Sequence, residues 1–373
     1  MPVTVKGNKG EWSELYVLFK LLAEGKLHGA NDELEKLDSY YPVLSVIRSE
    51  KDGKIKYDIN NNLKIKIIRA NDDTLIKEIS VECFKKFADN LLNEIKNGRE
   101  RAFEIPSVWS FAESCACQSI KARSIDKRDI TLIVHDARTQ TKPELGFSIK
   151  SRLGSPSTLL NPGNTTNFVY KILGNEINSN LLTRFNSPRQ NATGSRRRYN
   201  FSDNFTSFSI SGNELAYVGL TSPIFKSNLS LIDSLMPQIM SDIVKEHYYG
   251  QQSNIGSIVN RIAENPPSYI AEVTDNPLEF LEYKVKEFLT AVALGMTPGT
   301  KWTGMYDATG GYIVVKEDGD VLCYHIYDRN NFRNYLYKNT RLDTPSTTRY
   351  DFGTIYEEDG ERRIKLNLQI RFI

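Results

Sequence analysis

A mixed α/β fold is predicted by three features of the sequence. Apolar residues recur at helical spacing near the N-terminus and again over 82–99, segments of alternating polarity lie between these helices, and the last third returns to strand-like alternation. The chain has 373 residues and is 40% hydrophobic, which is enough to bury one sizeable core or two adjoining ones. Charged residues make up 25% and the net charge is +2, a balance that neither demands nor excludes a nucleic-acid partner.

The first part of the chain predicts a helix, then strands, then two more helices. A loop at 7–10 precedes a helix that ends near Gly25 and whose apolar face consists of Trp12, Leu15, Tyr16, Phe19 and Leu22. Strands are predicted over 43–48 and 63–68, with a turn at Asp52-Gly53. Helices are predicted over 82–99 and about 107–118.

The remaining chain predicts a hairpin, a loop-rich region, two helices and further strands. Residues 128–153 have the pattern of a β-hairpin. Residues 155–212 are rich in Asn, Ser, Thr and Gly but also in aromatic residues, which favours an ordered, ligand-facing region over a disordered linker. Helices are predicted over 228–248 and 276–295, and strands over 311–315, 321–327 and 366–372.

Cysteine usage and hydropathy exclude several classes of protein. Four cysteines in a chain of this length give no disulfide framework, and Cys115 and Cys117 lack a second pair at zinc-site spacing, so buried or half-buried free thiols are expected. The N-terminus lacks the apolar run of a signal peptide, and no stretch of about 18 apolar residues could span a membrane. A cytoplasmic protein is therefore predicted.

The hairpin carries the residues with the clearest chemistry. If its turn centres near Lys142, Asp136 lies opposite Ser148, and Lys150 shares the face of Ser148. A carboxylate beside a lysine suits phosphodiester hydrolysis, because the carboxylate can hold Mg²⁺ and the lysine can orient water or offset charge on the phosphorane. The backbone carbonyl of Ile149 is a candidate for a further metal ligand. The alternative is a surface ion pair of little energetic value.

This pattern resembles the PD-(D/E)xK nuclease core, in which a mixed central sheet is flanked by helices. One position departs from it, since Ser148 stands where an acidic residue is usual, two residues before the lysine. The resemblance implies that another carboxylate completes the metal site, and Glu11 and Glu14 at the start of the first helix are the candidates. Their alternative role is to complement the helix dipole. Glu144 shares a strand face with Lys150 but lies roughly 20 Å along the strand.

Most of the chain is similar to the HpaII family of type II restriction endonucleases. The similarity is strongest in 7–14, 146–161, 166–168, 307–312, 323–327 and 343–346. It implies an enzyme that cuts double-stranded DNA at a short palindrome and leaves 5′-phosphate ends. The founding member of the family cuts CCGG, and a companion methyltransferase acting on the same site would protect host DNA.

Three regions are candidates for contacting DNA. The polar loop after the second hairpin strand offers hydroxyls and amides for phosphates or base edges, from Ser151, Ser155, Ser157, Thr158, Asn161, Asn164 and Asn167. The densest basic cluster contains Arg196, Arg197 and Arg198, and the C-terminal region adds Arg329, Arg341 and Arg349. The alternatives are a polar surface loop and a solvated basic loop.

These candidates suggest a division into three functional regions. A nuclease core over 1–175 is followed by a loop-rich and helical DNA-contacting region over 176–295 and a β-rich recognition region over 296–373. A palindromic site favours a homodimer on DNA, although a chain of this length could also bind as a monomer. Two other functions stay open: a non-catalytic DNA-binding protein built on a nuclease-like fold, and a structure-selective nuclease.

Overall fold

The computed structural model describes residues 5–60, 63–121, 128–137, 140–186, 201–346 and 349–373. The chain forms two compact units. The first comprises Met1–Ser157 with Tyr306–Tyr335, and the second comprises Thr158–Met305 with Leu336–Ile373. The division into functional regions at 175 and 295 concerns roles toward DNA and stays a prediction.

The helices are α1 Lys9–Glu24, α2 Val81–Asn97, α3 Pro106–Ser114, α4 Ser179–Asn186, α5 Phe201–Ile210, α6 Pro223–Ile232, α7 Met236–Gly250, α8 Ile255–Glu264, α9 Ser268–Ala271, α10 Pro277–Leu294 and α11 Arg329–Lys338. The strands are β1 Lys6–Gly7, β2 Lys26–Ala30, β3 Lys36–Glu50, β4 Gly53–Asn60, β5 Lys64–Arg69, β6 Thr74–Ser80, β7 Phe103–Glu104, β8 Ile130–Val134, β9 Glu144–Ser151, β10 Thr158–Leu160, β11 Asn167–Gly174, β12 Asn213–Leu220, β13 Gly311–Val315, β14 Val321–His325, β15 Thr340–Leu342, β16 Ile355–Glu358, β17 Glu361–Asn367 and β18 Ile370–Phe372. The mixed α/β class predicted from the sequence is confirmed.

The first unit is built on one large mixed sheet. Its described strands follow the order β2-β14-β13-β9-β8-β3-β4-β5-β6, and β2 also pairs with β3, which closes six of them into a barrel. The closure depends on β3, which is long enough to pair with β2 through its first half and with β4 and β8 through its second. Strand β9 pairs with β8 on one side and in parallel with β13 on the other.

Helix α1 is fixed at both ends by local chemistry. Asn8 and Glu11 form a capping box at its start, and Gly25 adopts a left-handed conformation with φ 64° at its end. The predicted apolar face, from Trp12 to Leu22, is buried, and it belongs to the same core as Phe84 and Leu91 of α2. Hydrophobic burial therefore places the first turn of α1 firmly within this unit.

The second unit contains smaller sheets and most of the helices. Its described strands form the orders β12-β11-β17-β16 and β10-β18-β15. The single helix predicted over 228–248 is wrong: α6 and α7 are separate, because Asp233 is extended and its side chain caps the backbone N–H of Leu235 at 2.9 Å. The loop-rich region was predicted to be ordered, and its described part contains the regular elements β10, β11 and α4. Residues 187–200 lie outside the described part of the chain.

The hairpin exists as predicted, but its predicted register is wrong. Ile130 pairs with Phe147, and Asp136 bridges to Thr141, so Asp136 does not lie opposite Ser148. The polar residues that suggested a loop remain in the ladder, since the N–H of Asp136 donates to the carbonyl of Thr141 at 3.0 Å and that of Val134 to Pro143 at 3.3 Å. The turn therefore lies earlier in the chain than a turn centred on Lys142.

Two further features are the state of the cysteines and the hydropathy of the helices. Cys115, Cys117 and Cys323 are buried free thiols and Cys83 is half-buried, as predicted. In the part of the chain that the structure describes, no helix combines the length and the apolar character needed to cross a membrane.

Candidate active site

Glu14 is the most unusual ionisable residue at the start of α1. Its Oε2 atom is enclosed by protein and has no hydrogen-bond partner among the described residues. Burial, with a smaller contribution from the negative charge of Asp129, raises the pKa of the Glu14 carboxyl to about 8. Glu11, the other candidate on this helix, accepts a hydrogen bond from the backbone N–H of Asn8 at 2.9 Å. Glu11 thus caps the helix, whereas Glu14 has an unused buried oxygen.

Asp129 takes the position beside Ser148 that had been expected for Asp136. Its backbone N–H donates to the carbonyl of Phe147 at 2.8 Å, which extends the β8–β9 ladder by one residue. Its Oδ2 atom accepts hydrogen bonds from the backbone N–H of Ile149 at 2.7 Å and from the hydroxyl of Ser148 at 3.1 Å. The carboxylate is therefore fixed against the second hairpin strand.

Lys150 lies on β9, two residues beyond Ser148, and shares this electrostatic environment. Burial lowers the pKa of Lys150 below its ordinary value, while the negative charges of Asp129 and Glu14 act in the opposite direction. Its Nζ atom lies 5.4 Å from the centre of the buried Tyr312 ring on β13. Tyr312 is the parallel-strand neighbour of Ser148, so the sheet itself positions the aromatic surface below the lysine.

A hydroxyl pair holds α1 against the end of β9. The Ser13 hydroxyl donates to the carbonyl of Lys9 at 2.7 Å and accepts a hydrogen bond from the Ser151 hydroxyl at 2.8 Å. The Ser151 hydroxyl also accepts from the backbone N–H of Leu153 at 3.1 Å. Because Ser13 is fully buried and adjacent to Glu14 in the chain, this contact fixes the helical turn that carries the carboxylate.

These side chains form a site suited to one hard divalent cation. Two carboxylates that repel each other, one with an unpartnered buried oxygen, make the donor set that a cation would satisfy. Among the described residues no cluster of three or more His, Cys, Asp or Glu could hold a metal. The residues here that could hold a cation are therefore two carboxylates, Asp129 and Glu14, and water would have to complete its shell.

Asp136 does not occupy its expected position, whereas Ser148 and Glu144 lie on β9 as predicted. Asp136 is 1% exposed at the turn end of the hairpin, roughly 20 Å along the strand from Asp129. Ser148 is 3% exposed and orients Asp129 through its hydroxyl. Glu144 is exposed and pairs with Ile133 at the start of β9, away from Lys150.

The predicted DNA-contacting residues differ in accessibility. Ser155, Asn161, Asn164, Arg329 and Arg349 are exposed, and Ser157, Thr158 and Arg341 are half-buried. The Asn167 amide is 1% exposed; it donates to the carbonyls of Tyr350 and Asp351 and accepts from the Asn367 amide at 2.6 Å, so it holds the second unit together. The Ser151 hydroxyl is hydrogen-bonded to the Ser13 hydroxyl. Arg196, Arg197 and Arg198 lie outside the described residues.

Comparisons with known proteins give a consistent family. A model of the HpaII restriction endonuclease family matches residues 8–372. The chain is 44% identical over 369 residues to the type II restriction enzyme HpaII of Haemophilus parainfluenzae, and the match covers 98% of each chain. No solved structure matches.

Proposed function

This chain belongs to the HpaII restriction endonuclease family, and we propose that it cuts both strands of double-stranded DNA at a short palindrome similar to CCGG. The products would carry 5′-phosphate ends. The observation that supports this most strongly is the convergence of Asp129, Glu14 and Lys150, since an acid pair and an amine at one strand end suit phosphodiester hydrolysis.

The Asp129 and Glu14 carboxylates, with the Ile149 carbonyl, would hold Mg²⁺. When bound, the ion polarises the scissile phosphate and lowers the pKa of a coordinated water. Asp129 is already oriented by two hydrogen bonds on Oδ2, and the buried Oε2 of Glu14 has no competing partner among the described residues. Asp129 is thus oriented before the ion arrives, and Glu14 has a buried oxygen that the ion would satisfy.

Lys150 would act directly on the reacting groups. Its partly buried Nζ can donate to a non-bridging phosphate oxygen and orient the attacking water, and its lowered pKa makes proton exchange with that water easier. The water oxygen then bonds to phosphorus as the water gives up a proton to solvent, the bond from phosphorus to the 3′-oxygen breaks, and that oxygen takes up a proton from solvent. The phosphate stays on the 5′ end.

The arrangement supports assigning the first unit to the PD-(D/E)xK class. Asp129, directly before β8, would be the first acid, Lys150 the lysine, and Ser148 the residue at the second acidic position. Glu14 would replace the carboxylate that Ser148 lacks. The serine keeps a supporting role, since its hydroxyl donates to Asp129 at 3.1 Å.

The cellular context follows from the same activity. An enzyme that cuts a short palindrome would also cut the host genome, so a methyltransferase acting on the same site would accompany it. We place the enzyme in the cytoplasm, where it meets DNA, with phosphate and base contacts from the exposed Ser155, Asn161, Asn164, Arg329 and Arg349.

Plasmid digestion tests the site assignment. With Mg²⁺, the wild-type protein should cut at one defined sequence, and sequencing the ends gives site and stagger together. Asp129→Asn and Lys150→Met should lose at least about 10²-fold in rate, as expected when a metal ligand or a transition-state donor is removed. Asp136→Asn, an equally conservative change on the same hairpin, should keep cutting.

Two results would contradict this proposal in different ways. If Asp129→Asn keeps its activity and a folded Asp136→Asn loses it, the carboxylate that holds the metal is Asp136, as predicted from the sequence. Sequence-specific binding without any nicking in Mg²⁺ or Mn²⁺ would instead indicate a DNA-binding protein. Thermal melting of each variant separates loss of chemistry from loss of fold.

A further inference from the structure

We propose that Lys121 binds a phosphate of the cleaved strand and is a second cationic residue of the active site. The proposal rests on the nuclease function and adds a substrate-binding residue that the motif does not include. Lys121 lies in the segment that precedes Asp129, and its side chain is exposed. Hydrogen bonds to the backbone directly before Lys121 fix the position of this segment.

A buried arginine holds the segment that carries Lys121. The Nη2 atom of Arg48 donates to the carbonyls of Ser119 and Ile120, at 2.6 Å in each case. Arg48 lies on β3, is 4% exposed, and forms an ion pair with Glu50 at 3.3 Å. Two charge-assisted hydrogen bonds from a rigid strand fix the backbone directly before Lys121.

Further contacts fix the same segment from both sides. The Gln118 backbone N–H donates to Oε2 of Glu50 at 3.0 Å, and the Ser119 hydroxyl donates to the carbonyl of Lys121 at 2.5 Å. Ile120 is 4% exposed and packs against Gly7 of β1, directly before α1, where an added Cβ would lie 2.9 Å from the Ile120 Cδ1 atom. The segment thus runs beside the helix that carries Glu14.

The charges around Lys121 indicate what it binds. Lys121 attracts the Glu14 carboxylate and repels the Lys150 ammonium, so it lies within electrostatic range of both. None of the described residues forms an ion pair with it. A divalent cation would neutralise the negative charges of the Asp129 and Glu14 carboxylates. The ammonium groups of Lys121 and Lys150 would then give the site a net charge of about +2. That charge matches the dianionic phosphorane formed in hydrolysis.

DNA affinity as a function of salt tests this role separately from catalysis. We would measure Kd for a duplex containing the cleavage site in Ca²⁺, across a salt series, for the wild type, Lys121→Ala, Lys121→Arg and Lys86→Ala. Lys86 is an exposed lysine on α2 and provides the same charge change elsewhere in this unit. Loss of one phosphate contact should reduce the slope of log affinity against log salt by about 0.9.

The expected pattern has three parts. Lys121→Ala should show the reduced slope and a single-turnover rate in Mg²⁺ at least about tenfold lower, by analogy with other lost phosphate contacts. Lys121→Arg should restore the slope, and Lys86→Ala should match the wild type. All four proteins should melt at similar temperatures, because the Lys121 side chain is exposed.

Other outcomes overturn the inference. If Lys121→Ala has the wild-type slope and rate, Lys121 does not bind phosphate. If Lys121→Ala melts far below the wild type, or if arginine fails to restore the slope, the residue has a structural role instead. Failure of the wild type itself to cut would contradict the nuclease function, and this result is distinguishable from the other two.

Discussion

At the scale of single residues, Glu14 shows how burial of a carboxylate lowers the stability of the fold. Its pKa of about 8 lies above the ordinary value of 4.5, so the folded state binds a proton that the unfolded state has released. The free energy of unfolding therefore falls as pH rises from the unfolded to the folded pKa, and the whole loss is present above about pH 8.

Glu14→Gln should for this reason stabilise the metal-free protein at alkaline pH. We expect a gain of at least about 1 kcal/mol at pH 8.5, and a difference near zero at pH 4.5, where the wild-type carboxyl is protonated. Urea unfolding in a chelator at the two pH values measures both quantities. Glu24→Gln, on the exposed end of the same helix, serves as the control and should change little.

Mg²⁺ should stabilise Glu14→Gln less than it stabilises the wild type. Saturating Mg²⁺ should raise the melting temperature of the wild type at pH 8.5, because the ion binds only the folded state. Glu14→Gln should gain less from Mg²⁺. Equal gains in the two proteins would show that Glu14 is not a ligand, whatever its effect on cleavage.

At the scale of elements, local patterns predicted which helices and strands form better than how they pair. Helices α1 and α2 were predictable because their apolar faces repeat over several turns. The register of β8 and β9 was not, because the polar residues 141–144 look like a loop yet remain paired. The observed register places Asp129, which directly precedes the apolar run of β8, beside Ser148, where Asp136 had been expected.

Other parts of the site left no local signal at all. The backbone directly before Lys121 is held by Arg48, about 70 residues earlier in the chain, through two carbonyls. Backbone acceptors are the same for every residue type, so no pattern of side chains predicts such a contact. The Ser13–Ser151 pair is equally hidden, since serine is common and both positions look like surface residues.

The Arg48–Glu50 pair predicts a distinctive pattern of stability. Arg48→Met should destabilise the protein by about 3–5 kcal/mol, because Glu50 keeps a buried charge that has lost its partner. Arg48→Met combined with Glu50→Gln should be less destabilised than Arg48→Met alone. Urea unfolding of the two single variants and the double variant gives the coupling energy. Additive effects would show that the pair contributes only through separate contacts.

At the scale of the whole molecule, the family assignment and the site together limit how the enzyme meets its substrate. The family match spans residues 8–372, so both compact units belong to the enzyme. The described residues contain one copy of the proposed centre of Glu14, Asp129 and Lys150. A palindrome has two equivalent scissile bonds on opposite strands. One centre must therefore act twice, or two chains must act once each.

Two-fold symmetry of the site favours two chains per palindrome. We expect sedimentation of the Asp129→Asn variant with a short duplex to give a complex of two chains, and wild-type cleavage of a supercoiled plasmid to give linear product with little nicked circle. A duplex in which one half-site is altered should bind a single chain or none. A one-to-one complex on the intact palindrome, accompanied by transient nicked circles, would instead show that one chain turns over on each strand in succession. Under that outcome, the centre around Asp129 would release and rebind DNA between the two cuts, and the rate of the second cut would depend on enzyme concentration.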